Sequence, residues 1–202
     1  MKTKLFLSFF FLVLIACKSH PNAEDYFNQA MTKWDEKDFK AAMNDLDTSI
    51  NLKPDYALAF LDRGILKQVL KDSLGAVKDC EKAIAIDPKM ADAYIRLGRF
   101  KELANDNRGA LKEYTRLINA VPDAAIGYFY RSVSEDNLGD YKEAIKDMDK
   151  AIELSPKKAA FYTDRGFLKL KIYSFNGACA DFRRGAELGD KIAAQQVAER
   201  CK

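Results

Sequence analysis

Residues 138–156 read LGDYKEAIKDMDKAIELSP, and this stretch decides the fold. Ala144, Met148 and Ile152 recur at the spacing of one helix face, and charged residues fill most of the positions between them. The Gly-Asp pair near the start suits a tight turn, and Pro156 cannot continue a helix. We therefore predict an amphipathic helix that follows a turn and ends just before Pro156.

The same pattern recurs along the chain with a period of 34 residues. After Pro21 the prolines fall at this interval, at Pro54, Pro88, Pro122 and Pro156. Aligned on them, the chain divides into five units: 23–56, 57–90, 91–124, 125–158 and 159–192. One slot is aromatic in every unit: Tyr26, Phe60, Tyr94, Tyr128 and Tyr162. A slot four residues later is small: Ala30, Gly64, Gly98, Ser132 and Gly166. Another is always alanine: Ala42, Ala76, Ala110, Ala144 and Ala178.

This repeat resembles the tetratricopeptide repeat (TPR), a helix-turn-helix unit of 34 residues. The resemblance covers residues 23–192 and implies an all-α fold, an α-solenoid of five repeats. The residues support it independently, since one helix pair cannot bury its apolar face but five stacked pairs form a continuous core. No run of alternating β-branched residues indicates a sheet.

The end of the chain departs from the repeat, because Gly189-Asp190 replaces the proline. The segment that follows is amphipathic and predicts a C-terminal capping helix, with residues 193–202 as its C-terminal part. A helix hairpin that turns at Gly189-Asp190 brings Cys179 opposite Cys201, so we predict a disulfide between them; the alternative is two free thiols. Cys80 occupies a large core slot and is predicted to be a buried free thiol.

The N-terminus has the features of a bacterial lipoprotein signal peptide over residues 1–16. Lys2 and Lys4 precede an uncharged run that is too short to span a bilayer. The run ends in LIAC, residues 14–17, which resembles a lipobox and implies that Cys17 carries the lipid, diacylglycerol plus palmitate. Residues 17–22 would then be a lipidated tether to the membrane; the alternative is an ordinary secretory signal with an incidental Cys17.

Little in the sequence suggests catalysis, and we predict no enzyme activity, metal site or cofactor. The single histidine, His20, precedes the first repeat, and no Gly-rich phosphate loop is present. Charge is nearly balanced, so no nucleic-acid surface is indicated. One slot is acidic in all units: Asp45, Asp79, Glu113, Asp147 and Asp181. Three units carry a matching arginine: Arg63, Arg131 and Arg165. We expect each arginine to pair with the acid of its own or the preceding second helix and so to fix the register between repeats; the alternative is an arginine row that grips an acidic ligand.

In TPR proteins the first helix of each pair lines a concave groove that takes a peptide or helix of a partner. The resemblance implies these groove residues: Phe27, Met31, Trp34, Leu61, Ile65, Gln68, Arg96, Arg99, Glu102, Phe129, Tyr130, Val133, Asp136, Thr163, Asp164 and Phe167. Phe27, Met31, Leu61 and Ile65 replace the polar residues with which chaperone-binding members clamp a carboxylate, so that activity is not expected. The alternative for each groove residue is packing against the neighbouring first helix.

We therefore predict a protein-protein interaction scaffold of the bacterial cell envelope, held by lipid on Cys17 to the cell membrane or outer membrane and facing the periplasm or the cell surface. The predicted partner is a protein or peptide of the envelope. Two alternatives stay open. One is an assembly factor for outer-membrane, pilus or secretion machinery, as for lipoproteins of this repeat family. The other is a module that binds peptidoglycan.

Overall fold

The computed structural model describes residues 21–201, and the predictions for the signal peptide, Cys17 and most of the tether lie outside this range. The described residues form eleven helices and no strands. The helices are α1 Ala23–Asp35, α2 Phe39–Leu52, α3 Ala57–Val69, α4 Ser73–Ile86, α5 Ala91–Leu103, α6 Asn107–Ala120, α7 Ala125–Leu138, α8 Tyr141–Leu154, α9 Ala159–Lys171, α10 Phe175–Glu187 and α11 Lys191–Arg200.

The helices stack as five hairpins in chain order, from α1 with α2 to α9 with α10. The second helix of each hairpin also packs against the first helix of the next, and α11 covers α10 at the end of the stack. This is the predicted α-solenoid with its C-terminal capping helix. The cap begins at Lys191, at the boundary of the fifth unit.

Small residues on the first helices make room for large ones on the second. Tyr114 and Phe182 are fully buried opposite Gly98 and Gly166. A Cβ at Gly98 would lie 2.4 Å from the Tyr114 ring, and one at Gly166 would lie 2.5 Å from the Phe182 ring. The small slot of the repeat is therefore a contact between the two helices of a hairpin.

The aromatic slot and the prolines are linked by a repeated hydrogen bond. The hydroxyl groups of Tyr94, Tyr128 and Tyr162 donate to the carbonyl oxygen of the proline six residues earlier, at 3.2, 3.1 and 3.1 Å. As predicted, each second helix that precedes a proline ends two residues before it. The proline therefore stops one helix, and its carbonyl anchors the start of the next.

The turn inside each hairpin has a left-handed residue at the same slot. Positive φ angles occur at Lys37, Lys71, Asn105, Gly139 and Tyr173. Glycine adopts this conformation freely and asparagine tolerates it, so three of the five turns use a residue type that the conformation does not favour: Lys37, Lys71 and Tyr173. In three turns the aspartate that follows caps the second helix: Asp38, Asp72 and Asp106 accept a backbone N–H at 2.8–3.0 Å.

The predicted disulfide is present between Cys179 on α10 and Cys201 after α11, with the two Cα atoms 5.5 Å apart. It fastens the end of the capping helix to the last repeat. Cys80 is a fully buried free thiol, as predicted from its core slot. Burial raises the pKa of the Cys80 thiol to about 12, so this side chain behaves as a small apolar group.

Candidate binding groove

The arginine row is occupied by internal ion pairs. Arg63 on α3 makes two hydrogen bonds to Asp79 on α4, at 2.8 and 2.7 Å. Arg131 pairs in the same way with Asp147 at 2.6 and 2.7 Å. Arg165 does so with Asp181 at 2.9 and 2.5 Å.

Two of these arginines also reach the preceding repeat. Arg63 donates to Asp47 on α2 at 2.7 Å, and Arg165 donates to Asp149 on α8 at 2.6 Å. The row therefore joins helices within a hairpin and neighbouring hairpins. This is the expected structural role, and it leaves these guanidinium groups committed inside the protein.

The first helices lie on the inner side of the stack. Helix α5 contacts both α3 and α7, whereas the second helices approach one another less closely within residues 21–201. The array therefore curves so that α1, α3, α5, α7 and α9 face a common groove. Two clefts open on this face, one towards each end of the array.

The N-terminal cleft lies among α1, α3 and α5 and has a volume of about 280 Å³. It brings together four of the predicted groove residues, Met31, Trp34, Ile65 and Arg96. The Trp34 indole is half-buried and meets the Phe39 ring edge to face, with ring centroids 6.4 Å apart. The lining is completed by acidic residues, Asp35 and Asp62.

The C-terminal cleft lies between α7 and α9 and has a volume of about 250 Å³. It includes the predicted groove residues Val133, Asp136, Asp164 and Phe167. The remaining lining residues are Ser132, Met148, Leu168 and Lys171. An ion pair between Lys171 and Asp136 bridges α9 and α7 at this cleft.

Three predicted groove residues are core residues instead. Phe27, Leu61 and Thr163 are 9%, 4% and 3% exposed, and they line neither cleft. The Tyr56 ring covers Phe27 at a centroid distance of 5.2 Å. Thr163 donates its hydroxyl to the Ala159 carbonyl at 3.3 Å.

The predicted groove residues Phe129 and Tyr130 on α7 are only partly available. Phe129 stacks on Phe161 with ring centroids 5.3 Å apart, and Tyr130 stacks on Tyr114 at 5.4 Å. Both remain half-exposed, and neither lines a cleft. Arg99 is exposed but lines neither cleft.

Burial perturbs several acids along the first helices. Burial raises the pKa of Asp62 to about 6 against the opposing effect of Arg96. Burial and the negative charge of Asp190 raise the pKa of Asp164 to about 6. Burial and the nearby Asp147 carboxylate raise the pKa of Glu135 to about 7. The carboxylates are therefore only partly solvated.

Sequence reasoning missed six residues that line the clefts: Asp35, Asp62, Ser132, Met148, Leu168 and Lys171. The repeat aligns Asp62 with Arg96, Tyr130 and Asp164, so the slot itself contained the signal. Ser132 occupies the small packing slot, and nothing in the sequence shows that it also lines a cleft.

Two further features bear on what the described part of the chain can do. No group of three or more His, Cys, Asp or Glu side chains between residues 21 and 201 could hold a metal ion. None of the helices in this range is long and apolar enough to cross a membrane.

Comparison with known proteins agrees with this architecture. Profiles of the tetratricopeptide repeat match residues 23–56 and 125–158, the boundaries predicted for the first and fourth units. No curated protein sequence matches the chain closely enough to indicate a relative.

Solved structures with the same fold include three TPR proteins. MamA from Desulfovibrio magneticus RS-1 is 21% identical, with a TM-score of 0.67 over 82% of this chain and 94% of that one. YrrB, described as a TPR protein with an unusual peptide-binding site, is 18% identical, with a TM-score of 0.65 over 89% and 93%. PilW, described as a widely conserved type IV pilus biogenesis factor, is 18% identical, with a TM-score of 0.66 over 88% and 93%.

The fold and the repeated slots thus define an α-solenoid of helix hairpins with a groove along its first helices. Its first and fourth repeats match the tetratricopeptide repeat family, and residues 21–201 have the fold of tetratricopeptide repeat proteins.

Proposed function

We propose that this protein is a lipid-anchored scaffold of the bacterial cell envelope that holds a segment of a partner protein in its groove. The observation that carries the proposal is the pair of clefts on the face formed by the first helices. Eight residues of the predicted groove line the clefts, four in each: Met31, Trp34, Ile65, Arg96, Val133, Asp136, Asp164 and Phe167. Half-exposed aromatic and arginine side chains are the usual anchors of protein interfaces.

An extended or helical segment suits the groove better than a small molecule does. Each cleft is smaller than the roughly 300–1,000 Å³ of pockets that enclose a drug-sized ligand. Both open on the face formed by the first helices. A peptide that follows this face would place one side chain in each cleft. The likeness to YrrB, which is described as having a peptide-binding site, supports this mode.

The location in the envelope rests on two observations. The sequence LIAC at residues 14–17 fits a lipobox in which Cys17 carries the lipid. The Cys179–Cys201 disulfide suits an oxidising compartment outside the cytoplasm, because disulfides rarely persist in reducing cytosol. We propose no enzymatic activity, since the polar groups that line the clefts are suited to recognition.

A narrower role, as an assembly factor for pilus or secretion machinery, is favoured by the likeness to PilW. In that case the partner is a component of the pilus or secretion machinery, and this protein binds it only while the machinery is being assembled.

The first test is capture of the partner from detergent-solubilised envelope. Trp34→Ala should weaken capture of one specific envelope protein, while helicity and melting temperature stay close to wild type. Leu74→Ala is the matched control, because Leu74 is 80% exposed on α4 and lies in neither cleft. Equal capture by all three proteins would contradict the groove assignment, and unfolding of Trp34→Ala would place Trp34 in the core.

The second test concerns the anchor. Labelled palmitate should enter the wild type but not Cys17→Ser, which should be found in a soluble or unprocessed form. Equal labelling of the two proteins would contradict the lipoprotein assignment.

A further inference from the structure

The C-terminal cleft contains two polar groups that the protein itself leaves unpaired. The Ser132 side chain is 1% exposed, and its hydroxyl has no hydrogen-bond partner among the described residues. The Asp164 carboxylate, half-buried on α9, forms neither an ion pair nor a side-chain hydrogen bond within residues 21–201. A buried hydroxyl without a partner is costly, so native proteins rarely keep one without a reason.

No basic side chain neutralises Asp164. Lys171 lines the same cleft, but its ammonium group is taken by Asp136. The neighbouring charge that most affects Asp164 is another carboxylate, Asp190, and it acts with burial to raise the pKa of Asp164. The cleft therefore presents a partly desolvated negative charge for which the structure supplies no cation.

The remaining wall of the cleft is apolar. Val133 lies on α7, Met148 on α8, and Phe167 and Leu168 on α9. At about 250 Å³ the space suits one side chain rather than a whole small molecule. Long basic side chains have an apolar stem and a charged tip, and they bury the stem wherever the tip finds a partner.

We infer that the C-terminal cleft is a subsite for one basic side chain, arginine or lysine, of the partner segment. The stem packs against Phe167 and Leu168, and the charged group donates hydrogen bonds to the Asp164 carboxylate and the Ser132 hydroxyl. This inference rests on the proposed function, and it gives the partner a defined chemistry. It is the opposite of a carboxylate clamp, because here the groove supplies the negative charge.

The N-terminal cleft offers a matched comparison. Asp62 occupies the same repeat slot as Asp164 and is also partly buried. Arg96 lines the same cleft and partly offsets the charge of Asp62, since it lowers the pKa of Asp62 against the effect of burial. Asp35 also lines this cleft, but it is exposed to solvent. We therefore expect Asp62 to give the N-terminal cleft no comparable preference for a cation.

The test uses small probes and the full chain purified in detergent. Propylguanidinium is titrated in parallel with propylurea, a neutral molecule of the same shape, and amide shifts are followed by NMR. The cation should shift amides of α7 and α9 and bind at least about tenfold more tightly than propylurea. Asp164→Asn should abolish the difference between the two probes, whereas Asp62→Asn should leave it unchanged. Ser132→Ala should weaken the binding of both probes.

Equal affinity of propylguanidinium and propylurea would overturn the inference, as would a preference that survives in Asp164→Asn. Shifts confined to other helices would overturn it too. The result of the probe titration can be distinguished from the result of the partner-capture test of the proposed function. A cation preference at Asp164 with partner capture insensitive to Trp34→Ala would keep the subsite and refute the scaffold. The reverse pattern would keep the scaffold and refute the subsite.

Discussion

The substitution Gly98→Ala tests how the hairpins pack. The added Cβ would lie 2.4 Å from two carbons of the Tyr114 ring, a separation that real side chains do not tolerate. Tyr114 is 0% exposed, so a small shift of its ring would not relieve the contact by moving it into solvent. Overpacking of this kind costs about 3 kcal/mol, the upper end of the usual range. Alanine regains about 1 kcal/mol through its higher helix propensity.

We therefore expect Gly98→Ala to lower the free energy of unfolding by about 2 kcal/mol. For a chain of this size the melting temperature should fall by about 4–8 °C. The assay is urea unfolding followed by far-UV circular dichroism. Gly64→Ala is the matched control, since its Cβ would lie 3.1 Å from the Ala76 carbonyl oxygen and 3.3 Å from Cys80 Sγ. That variant should stay within about 1 kcal/mol of wild type.

A second substitution shows whether the cost comes from this contact. The first repeat has Ala30 in the small slot and Leu46 in the large slot, and both are fully buried. Adding Tyr114→Leu to Gly98→Ala recreates that combination in the third repeat. The double-mutant cycle should show a favourable coupling of at least about 1 kcal/mol. An unchanged urea midpoint for Gly98→Ala, or a cycle without coupling, would refute the proposed packing of the two slots.

Three further predictions concern a turn, a buried acid and the cap. Lys71→Gly should stabilise the protein by about 0.5–1 kcal/mol in urea unfolding, because Lys71 has a φ of 69°; a loss of stability would contradict this. Burial raises the pKa of Glu135 in the folded protein to about 7, above its value in the unfolded chain. The contribution of the protonated carboxyl group to the free energy of unfolding is therefore fully present below the unfolded pKa and is lost as pH rises towards 7. Glu135→Lys should pair with Asp147 and raise stability at pH 8 by on the order of 1 kcal/mol, and a variant that is less stable than wild type there would contradict this. Mass spectrometry of the unreduced protein should find a cross-linked Cys179–Cys201 peptide pair, and reduction should cost roughly 3 kcal/mol; full alkylation without reductant would exclude the bond.

The repeat architecture was predictable because it depends on spacing that a sequence displays directly. The 34-residue interval between prolines, the aromatic slot and the small slot each correspond to one contact in the structure. The disulfide was also predictable, since the turn at Gly189-Asp190 fixes which residues of α10 and α11 are opposite each other.

The sequence did not show how deeply each groove residue is buried. Helical spacing shows that Phe27 and Met31 share a face, but not which of them a neighbouring segment covers. Phe27 is buried because the Tyr56 ring, from the loop before the second hairpin, lies against it. Likewise, Lys71 gives no local signal for a left-handed turn. The hairpin imposes that conformation, and within the repeats a turn signal was found in the sequence analysis only in the pair Gly139-Asp140.

The sequence could not show that Ser132 and Asp164 lack partners, because this depends on the absence of a hydrogen-bonding or basic side chain on the surrounding helices. Glu135 is a different case. Its slot holds lysine in the other four repeats, at Lys33, Lys67, Lys101 and Lys169. The aligned repeats therefore mark Glu135 as an exception by residue type alone.

The central claim is that the face formed by the first helices binds a partner in the envelope. The most direct measurement is photo-crosslinking in intact cells, with benzoylphenylalanine in place of Trp34 or Val133, one in each cleft. The control position is Lys112, which is exposed on the second helix α6. The account predicts one discrete crosslinked partner, the same from positions 34 and 133, and none from position 112. Crosslinks to the same protein from position 112 alone, or equally from all three positions, would contradict it.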